Sequence, residues 1–490
     1  MSQDTSYDAV PYESFPFAQS HPARMSGMAK LFGLPAPDLA TARVLELGCS
    51  FGGNLLPMAL QYPTAQFTGV DLSQVHINYA NQIRGELGAT NVTFRQANIL
   101  DLAKETAQYD YIITHGVYSW IPPEVQSALL ELYGKQLSPN GVGYISYNVY
   151  PGWKMREVVR EMMLFHVGHL KDQTTKLAQA RAILQYAAKL HESNQAAFGR
   201  LVAEEASLLM RCSDSYIYHE HLEANNRPCY FHEFVAASAK HGLAYLGESS
   251  LADMLPDRHG ADLANTARQI SDGNIVACEQ YVDLLTNRAF RQTLLIRTDR
   301  APFVQRALSA NSYRDLHISA QLTPVNPANA ANAANADISL QTTQASSHAA
   351  YTDVLGRQIN AHQAHAKVMI DTMVAASPYT VSFTQIVEAV AAFARTAGIA
   401  MDAAQYVSAE LAVLLGQGVI TLHGESLARP AAASARIAPY ARWHAARGNV
   451  VTNAQHGLVQ LTPEQVQLVK TGSTPTAAQS AELMNLGLLV

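Results

Sequence analysis

Short apolar runs alternate with helix-period segments between residues 41 and 148. The runs 43–47, 66–70, 92–96, 109–114 and 141–147 read as strands, and the segments near 53–61, 73–88 and 124–136 read as helices. That rhythm predicts a parallel sheet with helices on both faces. Ser138-Pro139-Asn140-Gly141 sets a turn before the last of these strands. From Gly152 the pattern changes. Residues 152–212 read as helices, with Arg156, Val159, Met162, Met163 and Phe165 at helical spacing. Phe231 to Val235 opens another helix, and His241-Gly242 closes it. Residues 243–248 and 291–297 read as strands again. We take this pair as the last two strands of the first sheet, returned to it after a helical insertion.

Residues 324–348 break the pattern. Pro327 to Asn335 is an Ala/Asn tract with no large apolar residue, which reads as a frayed tether. Beyond it, helices from Phe383 and over Ala403 to Gly416 precede a strand at 419–422, an order that suggests a winged helix. Arg395 is the only Lys or Arg in 379–424, too little cation to neutralise phosphates, so the unit reads as a protein-contact or structural module. The expected organisation is a core over 1–150, a helical middle region over 151–323, the linker 324–348 and a C-terminal winged-helix-like domain over 349–490.

Composition narrows the function. The chain has 490 residues, 48% hydrophobic and 15% charged, which fits globular domains with real cores. Its 34 basic and 40 acidic residues give a net charge of −6 without long runs, which argues against a general nucleic-acid or anionic-membrane surface. Cys49, Cys212, Cys229 and Cys278 show neither disulfide nor zinc spacing. Residues 1–5 lack a signal pattern, and no apolar run reaches eighteen residues. A cytoplasmic protein without membrane insertion is expected, and a homodimer is compatible with this reading.

The candidate chemistry lies in Val44-Leu45-Glu46-Leu47-Gly48-Cys49-Ser50-Phe51-Gly52-Gly53-Asn54, where a strand meets a small-residue loop and a helix. Glycines admit a ligand close to the backbone, and the first helical turn offers free N–H groups. Asp71, ending the next strand, can grip both hydroxyls of a ribose. Glu46 adds discrimination. A pyrophosphate gains nothing from a carboxylate there, whereas the amino-acid end of S-adenosylmethionine carries an ammonium. A dinucleotide-dependent oxidoreductase shares the loop and the strand-end acid, but Glu46 and the returned strands speak against it. The histidine clusters, His219-Glu220-His221 with His232 and His166 with His169, lack an HExxH pattern or cysteine partners. They read as polar helix faces, and no metal is expected.

Further motifs give the reading company. Tyr7-Asp8-x-Val10-Pro11-Tyr12-Glu13-Ser14-x-Pro16-Phe17 precedes the first strand. Thr114-His115-Gly116-Val117-Tyr118-Ser119-Trp120-Ile121-Pro122-Pro123 follows the fourth, and Ser146-Tyr147-Asn148-Val149-Tyr150-Pro151-Gly152-Trp153 follows the fifth. Together they resemble class I S-adenosylmethionine methyltransferases with a methyltransferase regulatory domain, a family that includes rickettsial protein lysine methyltransferases. The likeness is dense over about 7–165, persists through Tyr230 to Phe234 and thins after 300. It implies a Rossmann-like α/β sheet whose final strand runs antiparallel. It also implies that Glu46, Gly48 and Gly52, with Cys49 and Asn54, line the methionine end of the cofactor. Asp71 and Leu72 would meet the ribose, and the loop with Asn98 and Ile99 the adenine, Asn98 standing where Asp is usual. Phe51 is bulky for such a loop and is expected to point away.

Methyl transfer from a sulfonium depends mostly on positioning. A lysine ammonium, pKa about 10.4, has no lone pair until the site desolvates it or takes its proton. The groups placed for this are at the carboxyl ends of strands four and five: His115, Tyr118, Tyr147 and Asn148 as catalytic candidates, His115 also beside the cofactor. Tyr12, Tyr118, Trp120 and Tyr150 are expected to hold the acceptor, a protein or a small molecule. A non-catalytic cofactor-binding assembly protein is the remaining alternative, and the intact motifs argue against it.

Overall fold

The computed structural model describes residues 14–192, 196–325, 338–339, 349–431 and 434–490. After a helix α1 (Pro22–Leu31), strands and helices alternate: β1 (Arg43–Leu47), α2 (Leu55–Gln61), β2 (Gln66–Asp71), α3 (Gln74–Leu87), β3 (Val92–Gln96), α4 (Ile99–Leu102), β4 (Tyr109–Thr114), α5 (Pro123–Gln136) and β5 (Leu137–Asn148). Helices α6 (Gly152–Val167), α7 (Gln173–Leu190) and α8 (Ala197–Met210) follow, then α9 (Phe231–Ala239), β6 (Leu243–Glu248), α10 (Ala261–Ile270), α11 (Ile275–Thr286) and β7 (Phe290–Arg297).

Seven strands form one sheet in the order β3-β2-β1-β4-β5-β7-β6. The two late strands do return to it. β7 pairs antiparallel with β5, from Gly143 opposite Leu295 to Asn148 opposite Phe290, and β6 pairs antiparallel with β7. β7 is therefore the reversed strand. The sheet is covered on both sides, and its side chains alternate between two cores as the pleat requires. Val44, Tyr111, Ile113, Val142 and Tyr144 enter one core, while Leu45, Ile112, Ile145 and Tyr147 enter the other. The inserted helices build a separate small core from Val159, Met163, Leu184 and Leu209.

The C-terminal region continues with β8 (His317–Ala320), α12 (Ala364–Ala376), β9 (Val381–Ser382), α13 (Phe383–Ala397), α14 (Ala403–Gly416), β10 (Ile420–His423) and α15 (Pro439–Ala445). The helix–helix–strand order read over 383–422 is present. Its sheet differs from a simple wing: the order is β9-β8-β10, with Ile318 facing both Val381 and Leu422. The central strand thus comes from upstream of the expected boundary at 349. Pairing does not follow chain order, so the sequence pattern could not reveal it. Helix α14 packs Val407, Leu411, Leu414 and Leu415 into the core. The tract 327–335 falls outside the described residues; Leu322–Pro324, Ile338–Ser339, Ala349–Asp353 and Gln358–Ala361, on either side of it in the chain, form a four-stranded sheet.

This region is joined to the first domain by a common core in which Met25 and Leu31 of α1 belong to the same apolar cluster as Ile318, Leu411 and Leu422. Hydrogen bonds reinforce it: Gly424 N–H donates to the Ala23 carbonyl (2.7 Å), and Lys30 Nζ donates to the Gly424 carbonyl (2.6 Å). Gly27 lets the two backbones approach, since a Cβ there would stand 3.0 Å from the Leu422 carbonyl oxygen. Among the described residues no helix is long and apolar enough to cross a membrane.

Candidate active site

The loop after β1 is shaped by left-handed backbone at Gly48 and Gly52 (φ 79° each) and at Ser50 (φ 46°). A Cβ on Gly52 would press within 2.6 Å of the Phe94 ring. Asp71 braces the strained residue. One carboxylate oxygen accepts Ser50 N–H (2.9 Å); the other accepts Ser73 N–H (2.9 Å), with His76 Nδ1 3.4 Å away. A carboxylate oxygen has a second lone pair, so Asp71 can hold the loop and still receive ribose hydroxyls. Phe51 is half-buried and packs against the first core, edge-on to His76 and Tyr79 at 4.8 and 5.0 Å. Cys49 is buried beneath the loop.

Glu46 is the feature that most needs a ligand. It is 3% exposed, and its Oε1 accepts Asn54 Nδ2–H (2.7 Å). Its Oε2 is buried without a partner among the described residues. Burial pushes the carboxyl up to about 8. An orphaned buried carboxylate oxygen is costly, and an ammonium satisfies it. Asn54 itself is a junction. Its Nδ2 also donates to Ser20 Oγ (3.1 Å), while its Oδ1 accepts Phe17 N–H (2.9 Å) and contacts His456 Nε2 (2.7 Å). Ser14 Oγ accepts Gly53 N–H (2.8 Å), so the N-terminal segment lies against the loop.

On the other side of Asp71, Leu72 and Leu100 are 53% and 38% exposed, apolar surface suited to a flat base. Asn98 is exposed and caps α4 by accepting Leu100 N–H (2.9 Å), with Ile99 half-buried behind it.

The carboxyl ends of β4, β5 and the start of β7 form the second half of the site. Phe17 stacks on His115 (3.7 Å between centroids), and Phe290, 39% exposed, stands edge-on to it (6.3 Å). His115 Nδ1 lies 2.9 Å from Tyr144 Oη and 3.3 Å from Ser146 Oγ. Burial lowers the imidazole to about 4, so it is neutral at pH 7 and a poor acceptor for a lysine proton. Asn148 is 5% exposed; its backbone N–H is held by Ser119 Oγ (2.8 Å), and its Nδ2 donates to Asn226 Oδ1 (3.1 Å). That leaves Asn148 Oδ1 as an acceptor.

Two expectations need correction. Tyr147 does not face the site. It is 1% exposed, stacks on Phe234 at 4.0 Å and bonds Thr293 Oγ1 (2.9 Å), because its strand position points into the second core. Tyr118, also expected at the acceptor, packs into the same cluster, edge-on to Phe234 (5.2 Å) and Tyr147 (5.9 Å). A short 3-10 turn over Tyr118–Trp120 directs it inward. Trp120 is half-buried against Trp153 (6.2 Å), and Tyr150 donates to Glu157 Oε1 (2.7 Å) beside Tyr230 (5.4 Å). Tyr12 lies outside the described residues. Sequence reading gave no role to Phe290, Asn226 or His456. Phe290 comes beside Asn148 only through the β5–β7 register. Among the described residues no three His, Cys, Asp or Glu side chains are grouped to hold a metal.

Comparison with known proteins agrees with this geometry. Residues 39–207 match the model of a methyltransferase domain, and residues 213–297 match a predicted methyltransferase regulatory domain. The uncharacterized protein RP028 of Rickettsia prowazekii (strain Madrid E) is 40% identical over 235 residues, 48% of this chain and 94% of its own length. The chain belongs to the class I S-adenosylmethionine-dependent methyltransferases with a methyltransferase regulatory domain. A second Rickettsia prowazekii protein, RP789, is 41% identical to this methyltransferase over 60% of the chain. That match spans only 53% of the relative's length, about half. PKMT2 from Rickettsia typhi, solved in complex with AdoHcy, superposes with a TM-score of 0.80 at 28% identity, over 97% of this chain and 91% of its own. The methyltransferase therefore shares its architecture with PKMT2 through the C-terminal region as well as the sheet. The cofactor of the class is S-adenosylmethionine, and the orphaned Glu46 oxygen fits its ammonium.

Proposed function

We propose that this methyltransferase transfers a methyl group to an amine, with a protein lysine as the acceptor. The observation that carries the reading is the correspondence with PKMT2 along 97% of the chain, which extends well past the cofactor fold. S-adenosylmethionine supplies, when bound, a methyl group activated on a sulfonium. Glu46 would hold its ammonium, the loop from Gly48 to Asn54 would border its methionine end, and Asp71 would take the ribose hydroxyls. Phe17, His115 and Phe290 present aromatic faces and edges that tolerate an alkylammonium while excluding water. Desolvation there favours the neutral amine, whose proton is left with bulk solvent as the side chain enters, since His115, itself held neutral, is a poor base. Asn148 Oδ1 accepts an N–H of that amine and turns its lone pair toward the methyl carbon.

The test uses the intact chain, isotopic S-adenosylmethionine and cell lysate, with the label located by mass spectrometry. Label on lysine Nζ is expected. Asn148→Ala should lower turnover about 10- to 1000-fold, the range of a positioned group, with S-adenosylhomocysteine affinity near normal. Label confined to oxygen atoms or to small molecules defeats the lysine reading.

A further inference from the structure

Asn54 bonds the N-terminal segment at Phe17 and meets His456, 402 positions away along the chain. Its amide orientation is decided by its neighbours. Phe17 N–H can only donate, so the atom it meets at 2.9 Å is the oxygen. The nitrogen then faces Glu46 Oε1 (2.7 Å) and Ser20 Oγ (3.1 Å). His456 Nε2 lies 2.7 Å from the same oxygen, so the imidazole must be the donor there, in its Nε2–H tautomer. His456 is 2% exposed and stands on the C-terminal hairpin between Val450–Thr452 and Leu458–Gln460.

The hairpin is built to present that ring. His456 has a left-handed backbone (φ 61°), a conformation uncommon for a residue with a Cβ. It is held by Asn453, whose Oδ1 accepts Gln455 N–H (3.1 Å) and Gly457 N–H (2.9 Å) and whose carbonyl accepts His456 N–H (3.0 Å). Backbone strain of this kind persists only where the surroundings over-determine it, and it gathers at functional sites. Here the left-handed residue aims at the amide that donates to Glu46.

We propose that His456 is a positioning residue for the methyl-donor site: by donating to Asn54 it fixes the amide that holds Glu46, so cofactor affinity depends on the C-terminal region. The proposal rests on the reading of Glu46 as the ammonium partner. His456 touches no reacting atom. A ring without a donor would leave Asn54 Oδ1 with Phe17 N–H alone, one bond fewer to hold in place the amide that meets Glu46. The C-terminal region is then part of the cofactor site rather than an appended module.

The experiment is calorimetry of S-adenosylhomocysteine binding to the intact chain in four variants. His456→Leu should weaken binding about 10-fold or more, the loss expected of a buried hydrogen bond and the order it imposes. His456→Gln, which keeps a donor, should bind within about 3-fold of the parent. Trp443→Ala removes a different contact of this region, Trp443 Nε1 donating to Glu86 Oε2 (2.7 Å), and should leave affinity unchanged. Glu46→Gln tests the underlying reading and should bind poorly. Parental affinity in His456→Leu with weak binding in Glu46→Gln overturns the proposal and leaves the reading intact. Parental affinity in both overturns both. Equal losses in the Leu and Gln variants, or an equal loss in Trp443→Ala, overturn the donor role in favour of docking alone. A measurement on the parent protein covers the case in which His456→Leu does not fold. Two-bond proton–nitrogen spectra of the imidazoles should show His456 as the Nε2–H tautomer and shift when S-adenosylhomocysteine is added. The opposite tautomer, or a resonance the ligand does not move, overturns the proposal.

Discussion

At the scale of single residues, Glu46 links ligand, proton and stability. Its folded pKa, about 8, lies above the ordinary 4.5, so the folded state without cofactor holds a proton at pH 7. An ammonium favours the carboxylate, and binding must expel that proton. Calorimetry at pH 7 in buffers of different ionisation enthalpy should therefore report release approaching one proton, absent in Glu46→Gln. The sign for stability follows from the same shift. Between pH 4.5 and 8 the unfolded chain releases this proton before the folded one does, so Glu46 costs stability as pH rises. The stability of Glu46→Gln relative to the parent should climb across that window; a flat difference would mean the carboxyl is not desolvated. His115 acts in the opposite sense, its folded pKa of about 4 making stability rise toward pH 6.5, so the variant difference rather than the raw profile is the measurement to make.

At the scale of elements, β7 does more than close the sheet. Arg291, fully buried on it, donates to Asp283 Oδ2 (2.8 Å), Glu248 Oε1 (2.9 Å) and Glu279 Oε2 (2.9 Å) and lies over the Phe231 ring at 3.6 Å. One cation thereby joins β6, β7, α9 and α11. Arg291→Met should destabilise the fold by about 3–5 kcal/mol, since three buried carboxylates lose their closest cation and only Arg288, 3.7 Å from Glu248 and Asp283, remains beside two of them. Thermal unfolding checks this, and a shift within error would show the carboxylates protonated already. Tyr147 belongs to the edge of the same network, because Thr293 Oγ1 receives its hydroxyl and passes a hydrogen bond to Glu248 Oε1 (2.8 Å). Tyr147→Phe should accordingly cost about 1 kcal/mol of stability and leave turnover unchanged. A large loss of turnover at full stability would return Tyr147 to the active site.

At the scale of the whole molecule, the two ends of the chain meet at the cofactor loop. α1 lies against β10, β8 completes the C-terminal three-stranded sheet, and His456 reaches Asn54. A chain cut at a protease site inserted within 326–337 should stay together on gel filtration, with both pieces in one peak. Separation into two independent species would show that the apolar cluster shared by Met25, Ile318 and Leu411 does not hold them.

The sequence by itself determined the sheet, its insertion and the cofactor loop. These rest on local rules: apolar runs with period two, helices with period 3.6, and a Glu-x-Gly loop whose residues are neighbours in the chain. Glu46, Gly48, Gly52 and Asp71 could be named because a strand end and the turn after it fix their mutual position. The place of Asn148 at the end of β5 follows from the same rule. The direction of Tyr118 and Tyr147 was not legible, since strand parity and a single turn decide which core a ring enters. Phe290 needed the β5–β7 register, β8 needed pairing across the Ala/Asn tract, and His456 needed the packing of α1 on β10. Contacts of that range leave no local period or spacing, because they are chosen by which apolar faces find each other when the chain closes.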